Sequence, residues 1–349
     1  MRIVVDVMGG DHGCGVIIDG VKLALQANLQ LAELFLVGRQ PEIEAALRAR
    51  QCRDARLKII HASEVLTMED KPLAGFRKKK DCSVTRAMEL VRDGKADAVI
   101  SSGNTGGLVA AATFLLRRID GLERPALAAI MPAIKTGFVL IDVGATPDCK
   151  PSHLLQFAIM GSIYSRLMLG HQKPRVGILS NGSEDFKGTD LTRAASALCR
   201  QADLNFIGYV EGTEIFASHA DVVVTDGFIG NILLKATEGL GKAVLQIMKS
   251  ELTANPLRTL GALIARGGLT GIKRRMDPEA YGGAPLLGLN GTVIKIHGSA
   301  KARVVANAIR QTADAVDRRL NQHIRDEVAA ANVRLGLGHT AAAPTPVPA

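Results

Sequence analysis

The sequence has 349 residues, 22% of them charged and 47% apolar, which describes a folded globular protein with ample core and excludes a disordered chain. Aromatics are scarce, with no Trp and three Tyr, which counts against a single-stranded nucleic-acid binder built on stacking platforms. The formal charge of +9 asks for an acidic partner, whether nucleic acid, anionic lipid, an acidic protein or a phosphate-bearing substrate, without choosing among them. Cys14, Cys52, Cys82, Cys149 and Cys199 are scattered without C-x-x-C spacing. They read as reduced thiols of a cytosolic protein, not as a disulfide framework or a zinc site. The N-terminus reads as a strand instead of a signal peptide, and no apolar run reaches the roughly 18 residues of a membrane span.

In chain order, Ile3 to Val7 is a strand that opens into Met8-Gly9-Gly10-Asp11-His12-Gly13-Cys14-Gly15, with a helix from Val16 to Ala27. Leu34 to Val37 is a second strand, followed by a helix that starts at Pro41, and Leu57 to His61 is a third strand. A basic block, Arg77-Lys78-Lys79-Lys80, precedes a helix from Val84 to Asp93. Ala98 to Ser101 then runs into Ser102-Gly103-Asn104-Thr105-Gly106-Gly107 and an apolar helix. Glycines at such a switch let the backbone approach a ligand, and the unpartnered N–H groups of the helix start suit an anion.

The same pattern recurs. Phe138 to Ile141 ends in Asp142-Val143-Gly144-Ala145, and a helix runs from Pro151 to Leu169. Val176 to Leu179 ends in Ser180-Asn181-Gly182-Ser183-Glu184-Asp185-Phe186-Lys187-Gly188. Asp221 to Val224 ends in Thr225-Asp226-Gly227-Phe228-Ile229-Gly230-Asn231, and Val293 to Ile296 ends in His297-Gly298-Ser299 before one long helix to about Ala330. Strands alternating with helices predict an α/β protein with a doubly wound, mostly parallel sheet, and short unalternating apolar runs fit strands covered on both faces. In a parallel sheet the six loops would share one edge, where ligands bind.

Two regions depart from the pattern. From about 239 to 276 the chain reads as a projecting helical hairpin broken at Asn255-Pro256 and again at Gly267-Gly268. Leu257, Leu260, Ile264 and Ile272 fall on roughly one face of its second arm, with Arg258, Arg266, Lys273, Arg274 and Arg275 around it. Such an element suits an anionic membrane surface, a dimer interface or a core helix. Residues 1–330 read as one catalytic domain and 331–349 as a disordered low-complexity tail.

Several familiar devices are missing. There is no G-x-G-x-x-G after the first strand, no P-loop, no G-x-S-x-G elbow and no H-E-x-x-H. A cleft of glycines, hydroxyls and amides with one loop lysine, Lys187, suits anion binding and charge stabilisation without a covalent enzyme intermediate. Attack of phosphate on an acyl thioester is a reaction of that kind, in which binding and orientation matter most.

The chain resembles the bacterial phosphate acyltransferases of phospholipid synthesis. The resemblance is carried by nine stretches in order over about 1 to 325: Val5 to His12, Arg77 to Lys80, Ser102 to Gly106, Ile141 to Ala145, Ala158 to Ser162, Glu184 to Gly188, Val224 to Phe228, Tyr281 to Ala284 and His297 to Ser299. It implies a fold similar to phosphate acetyltransferases and isopropylmalate-type dehydrogenases. It implies transfer of a fatty acyl group from acyl carrier protein to inorganic phosphate, giving acyl phosphate, with no metal, no nucleotide cofactor and no nucleic-acid partner.

A cytoplasmic homodimer is also implied, touching the inner face of the cell membrane near a membrane-embedded acyltransferase. Lys187 and Asn231 are the catalytic residues it implies. Gly9, Gly10, Asp11, His12, Asn104, Thr105, Gly106, Asp226, Gly227, His297, Gly298 and Ser299 are the expected substrate-binding positions. Arg77, Lys78, Lys79 and Lys80 are expected to dock the carrier protein, and Leu257, Leu260, Ile264, Arg274 and Arg275 to meet the membrane. The chain departs from the family at Gly13-Cys14-Gly15, at Ser180 to Ser183 and at Phe186. The rival readings are a coenzyme A-dependent phosphate acyltransferase and a non-catalytic membrane-surface adaptor.

Overall fold

A computed structural model describes residues 1–27, 30–67, 69–275 and 282–336; at Lys273 and Arg274 it describes the backbone alone. Met276, Tyr281 and residues 337–349 lie outside the described residues, and the start of the tail expected to be disordered over 331–349 is corrected, since 331–334 belong to the last helix. The first half of the chain forms β1 (Arg2–Asp6), α1 (Gly13–Gln26), β2 (Glu33–Gly38), α2 (Gln40–Ala49), β3 (Leu57–His61), α3 (Pro72–Lys78), α4 (Ser83–Arg92), β4 (Ala98–Ser101), α5 (Thr105–Leu115), β5 (Ala126–Met131), β6 (Phe138–Ile141) and α6 (Pro151–Tyr164). There follow β7 (Val176–Ser180), α7 (Asp190–Gln201), β8 (Phe206–Glu211), β9 (Val222–Val224), α8 (Gly227–Leu252), α9 (Pro256–Ile264), α10 (Arg266–Arg275), β10 (Ala284–Leu287), β11 (Thr292–Lys295), α11 (Ala302–Asp317) and α12 (Leu320–Arg334).

All these strands join one sheet in the order β3-β2-β1-β4-β11-β10-β5-β6-β9-β7-β8. Both of its faces are covered, so successive residues of a strand enter different cores. Ile3 and Val5 of β1 pack with Val21 of α1 and Val305 and Ile309 of α11, whereas Val4 packs with Val84 and Met88 of α4. In the far half, Val139 and Ile141 of β6 meet Phe157 and Ile163 of α6. The closest helix pair is α1 against α11, where a Cβ on Gly20 would stand 2.4 Å from the Val305 Cβ.

The sheet is mostly parallel, but one feature of the sequence reading is corrected. β1, β2, β3, β4 and β11 run one way; β10 is antiparallel to both β11 and β5, and β5 is antiparallel to β6. As a result β6, β9, β7 and β8 run opposite to β1, β4 and β11. The six glycine-rich loops therefore leave from two opposite edges of the sheet, three from each. β5 and β10 cause the reversal, and the sequence reading did not assign either as a strand.

Two helices also differ from expectation. The segment after His297 is two helices, α11 and α12, broken at Arg319, whose φ is +51°. The projecting hairpin starts earlier than 239, because α8 runs unbroken for 26 residues from Gly227, and its second arm breaks at Ala265 instead of at the Gly267-Gly268 pair.

Candidate active site

The first group of loops follows β1, β4 and β11. A Cβ on Gly9 would stand 2.4 Å from the Gly103 Cα, so only glycine lets the β1 and β4 loops touch. The Asp11 N–H donates to Gly298 O at 2.8 Å and ties the β1 loop to the β11 loop. In the latter, His297 Nδ1 and Ser299 Oγ are 2.8 Å apart. Asn104 is the cap of α5: its Oδ1 accepts the Gly107 N–H at 2.9 Å, and its amide donates to Thr67 O and Asp70 O at 3.3 and 3.4 Å. Thr105 and Gly106 form the first turn of that helix, and His12 stands exposed before α1. Gly9, Gly10, Asp11, His12, Asn104, Thr105, Gly106, His297, Gly298 and Ser299 thus share this edge of the sheet.

Two charged residues that the sequence reading passed over lie beneath these loops. Asp6 is buried; it accepts the Met8 N–H at 3.2 Å and the Ser101 hydroxyl at 2.8 Å, and Ser101 Oγ in turn accepts the Gly103 N–H at 3.1 Å. Lys295 is 8% exposed and donates to Ser102 O at 3.3 Å and to Ile296 O. Burial pushes the Asp6 carboxyl up and the Lys295 ammonium down to about 8. A charged residue between apolar neighbours, in a strand covered on both faces, was the available signal.

The second group follows β6, β9 and β7. Asp142 is buried and accepts four main-chain N–H groups, from Leu127 (2.9 Å), Gly144 (3.1 Å), Ala145 (2.9 Å) and Thr146 (2.7 Å), which fixes the β6 loop. Asp226 caps α8, accepting the Phe228 and Ile229 N–H groups at 2.9 and 2.8 Å, and Gly227 donates to Thr146 O at 2.9 Å. Asn231, exposed on the early turns of α8, lies against Gly144, whose φ of +134° and missing side chain leave it room. Lys187 is half-buried in the β7 loop with its ammonium 5.5 Å from the centre of the Phe186 ring. Because β7 pairs with β9, the loops carrying Lys187 and Asn231 are neighbours on this edge.

Twist turns the two edges toward each other. Five strand steps separate β4 from β9, and at about 20–25° per step the accumulated rotation is about 100–125°. Strands that oppose in direction then differ by about 55–80° instead of 180°, which turns their carboxyl ends toward each other. The side chains agree: Lys235 of α8 lies near enough to lower both Lys295 and His297, and Glu238 and Lys242 of the same helix also act on His297. The cleft is therefore floored by the first loop group and roofed by the stretch of α8 that carries Lys235, Glu238 and Lys242.

Two further expectations can be located. Of the basic block, Arg77, Lys78 and Lys80 are exposed, but Lys79 is folded inward, donating to Asp70 Oδ2 at 2.5 Å and to Val65 O at 2.9 Å. α3 abuts the first loop group, since a Cβ on Gly106 would stand 2.5 Å from the Pro72 ring. On the hairpin, Leu257, Leu260, Leu263 and Ile264 are 80%, 56%, 63% and 82% exposed, so they belong to no core among the described residues. Arg275 is exposed as well. Among the described residues no helix is long and apolar enough to cross a membrane.

A family described as "Fatty acid synthesis protein" matches residues 1–323. The phosphate acyltransferase of Pelotomaculum thermopropionicum is 44% identical over 334 residues, covering 96% of this chain and 97% of its own. That of Desulfitobacterium hafniense is 46% identical over 330 residues, covering 94% and 98%. The chain belongs to the phosphate acyltransferase family. It is an enzyme of the acyltransferase class, and phosphate acyl transfer is the family's reaction. Among solved structures, a phosphotransacetylase from Streptococcus pyogenes aligns with a TM-score of 0.62 at 19% identity, over 91% of this chain and 94% of that one. A 4-hydroxythreonine-4-phosphate dehydrogenase from Klebsiella pneumoniae aligns at 0.50 and 17% identity, over 93% and 99%. These two likenesses establish the fold, a mostly parallel α/β sheet shared by phosphate acyltransferases and a dehydrogenase.

Asp142 generates a pH prediction for the second loop group. Burial pushes its carboxyl from 3.8 up to about 6, against the pull of the four N–H donors. A carboxyl whose folded value exceeds its unfolded one binds its proton more tightly when folded, so its contribution to stability falls as pH rises from 4 through 6. Asp142→Asn removes that titration. In urea unfolding, the stability of the unmodified protein relative to Asp142→Asn is expected to increase as pH drops from 7 to 5, and a constant difference would refute the raised value.

Proposed function

We propose that the enzyme transfers a fatty acyl group from acyl carrier protein to inorganic phosphate by direct attack of phosphate on the thioester. The observation that supports direct attack is the state of the thiol beside the second loop group. Cys149 donates to Thr146 O at 3.3 Å, and burial, with the charges of Asp142 and Asp226, pushes it up to about 12. Cys14 is raised to about 11 and Cys199 to about 12, chiefly by burial. Thiols held in the protonated form are poor nucleophiles.

In the proposed step a phosphate oxygen attacks the thioester carbonyl carbon. A C–O bond forms, the tetrahedral oxyanion collapses, the C–S bond breaks, and the carrier thiolate leaves and takes up a proton from solvent. Phosphate is mostly anionic near neutral pH, so the enzyme's work is to bind and orient it and to stabilise developing charge. The start of α5 and the three loops beside it would receive phosphate. The Asn231 amide would donate to the oxyanion, and the Lys187 ammonium would offset the negative charge that accumulates between two anions. Asp226, Gly227 and Asn104 would serve by fixing the two helix starts.

Lys187→Ala is expected to lower turnover about 10²-fold or more, and Asn231→Ala to lower turnover as well. Asn104→Ala, which loosens the start of α5, should chiefly raise KM. A folded Lys187→Ala enzyme with near-full activity would remove the lysine from the mechanism.

Acyl carrier protein is favoured over coenzyme A as donor by the surface around α3. A shallow groove of about 860 Å³ runs along it, lined by Lys71, Pro72, Leu73, Arg77 and Lys78. An acidic carrier approaching this face would be steered by its charge. Since Lys79 is held by Asp70, docking would fall to Lys71, Arg77, Lys78 and Lys80. Charge reversal at Arg77 and Lys78 should raise KM for the carrier thioester and flatten its salt dependence while leaving KM for phosphate unchanged. Equal turnover of coenzyme A thioester, unaffected by the reversal, would favour the rival donor.

The hairpin supports a cytoplasmic homodimer in peripheral contact with the membrane, beside a membrane-embedded acyltransferase that would take the acyl phosphate. Leu240, Val244 and Ile247 form an exposed stripe on α8 at helical spacing, which a second copy would cover. The α9–α10 tip would rest on anionic lipid through Leu257, Leu260 and Ile264, with Arg274 and Arg275 each adding about 1 kcal/mol near the surface. Flotation with anionic vesicles is expected for the unmodified protein and not for Leu260→Glu, which should remain dimeric and active in solution. Dissociation of the dimer by Leu260→Glu would overturn the assignment of the tip to the membrane.

A further inference from the structure

Lys295 does something that neither an ordinary surface lysine nor an ion pair does. It ends β11 beside Ser101 of β4, and its ammonium is spent on two main-chain carbonyls, those of Ser102 and Ile296. The Ser102–Gly103 peptide is consequently held at both ends. Its carbonyl accepts from Lys295, and its N–H donates to Ser101 Oγ, which donates to Asp6. Next to it the Ser102 hydroxyl is buried, without a hydrogen-bond partner among the described residues, and faces Gly10, whose Cβ position lies 3.1 Å away. Two residues further along, the main-chain N–H groups of Thr105 and Gly106 open α5.

A peptide whose carbonyl is tied down on one side presents the following residues in one orientation only. We propose that Lys295 is a positioning residue of the acyl transfer, its buried ammonium clamping the Ser102 and Ile296 carbonyls so that the start of α5 and the His297 loop are presented to an incoming phosphate. The inference rests on the reading that phosphate binds at this first group of loops. Asp6 completes the clamp from β1, and a neutral side chain of the same length at 295 would leave both carbonyls unpaired in a buried place. The positive charge also adds to the field at the α5 start, where an anion is to be bound.

The clamp has a pH signature. The groups facing the Lys295 ammonium are Asp6 on β1 and Asp11 in its loop, which hold the proton on, and Lys235 on α8, which with burial drives it off. His297, in the adjoining loop, is the remaining titratable neighbour. Phosphate affinity should therefore weaken as pH rises through about 8. Lys235 stands exposed on α8, so its replacement changes this balance without disturbing the core.

The test is calorimetric titration with inorganic phosphate from pH 6 to 9.5, with KM and kcat measured in parallel. Phosphate's own ionisation is common to every variant and cancels between them. Lys295→Met should weaken phosphate binding about tenfold or more, as expected for lost charge-assisted hydrogen bonds, change kcat less, and abolish the alkaline limb. Lys295→Arg should keep binding alkaline-stable. Lys235→Gln should move the limb upward, because a like charge is gone. If Lys295→Met does not fold, Lys235→Gln decides alone. Phosphate binding by folded Lys295→Met equal to that of the unmodified enzyme, or a limb unmoved by Lys235→Gln, overturns the clamp. Failure of the unmodified enzyme to form acyl phosphate would instead count against the reaction reading.

Discussion

Strand direction is the constraint on which the cleft depends. A wholly parallel sheet would send all six glycine-rich loops off one edge, spread from β1 to β7 across eight of the eleven strands, with the outer loops too far apart to meet one substrate. The antiparallel pair β10 and β5 reverses the second half, and the ordinary right-handed twist then swings its carboxyl edge round to face the first. The first loop group and the stretch of α8 that carries Lys235, Glu238 and Lys242 come to border one space instead of lying side by side. For a reaction that joins one anion to a carbonyl and expels another, two sets of main-chain donors approaching from different sides are what the charge distribution requires.

The two loop groups are built differently. The first rests on buried charge, Asp6 and Lys295, and its loops touch through Gly9 and Gly103 and through Asp11 and Gly298. The β7 loop of the second is largely exposed, and Lys187 within it lies against Gly182 of the same loop and Phe186, itself 73% exposed. Asp142 and the Asp226 cap stiffen the part of the second group that bears Asn231. Rigid donors therefore face a lysine on a loop with few buried contacts, and low contact density is where local motion concentrates. Such a division suits a site that must hold phosphate firmly and still admit an acyl donor.

Much of this was legible in the sequence because each switch is a local event. A short apolar strand, a glycine-rich loop and a helix announce themselves at β1, β4, β6, β7, β9 and β11, and the loop residues can be named from them. Strand direction is not local. A strand covered on both faces shows the same unalternating apolar run whichever way it points, so the pattern around Phe138 to Ile141 carries no sign of the reversal. β5 was hidden by its alanines although Pro125 and Pro132 bracket an apolar run, and β10 by Pro285, a residue that argues against a central strand. Asp6, Asp142 and Lys295 each interrupt an apolar strand end with a charge. That signal was on view but reads as a site only once the surrounding strands are known to be buried.

The arm carries the same logic outward. α8 starts at the Asp226 cap, bears Asn231 on its early turns and continues without a break for 26 residues, about 39 Å of unbroken helix. A Cβ on Gly230 would lie 1.9 Å from Asp142 O, so the root of that rod is seated directly on the β6 loop. Beyond the first turns its side chains are mostly exposed, and the α9–α10 tip presents leucines and isoleucines that no described residue covers. A helix is stiff along its axis, whereas the chain turns at Thr253 to Asn255 and at Ala265 are not. Whatever seats on the stripe of α8 therefore bears on the element that holds Asn231, Lys235 and Glu238 over the cleft. A contact at the tip is buffered by two turns and leaves the catalytic geometry largely alone. The site and the outer surface are in this way connected through one helix, with the coupling strongest at its root.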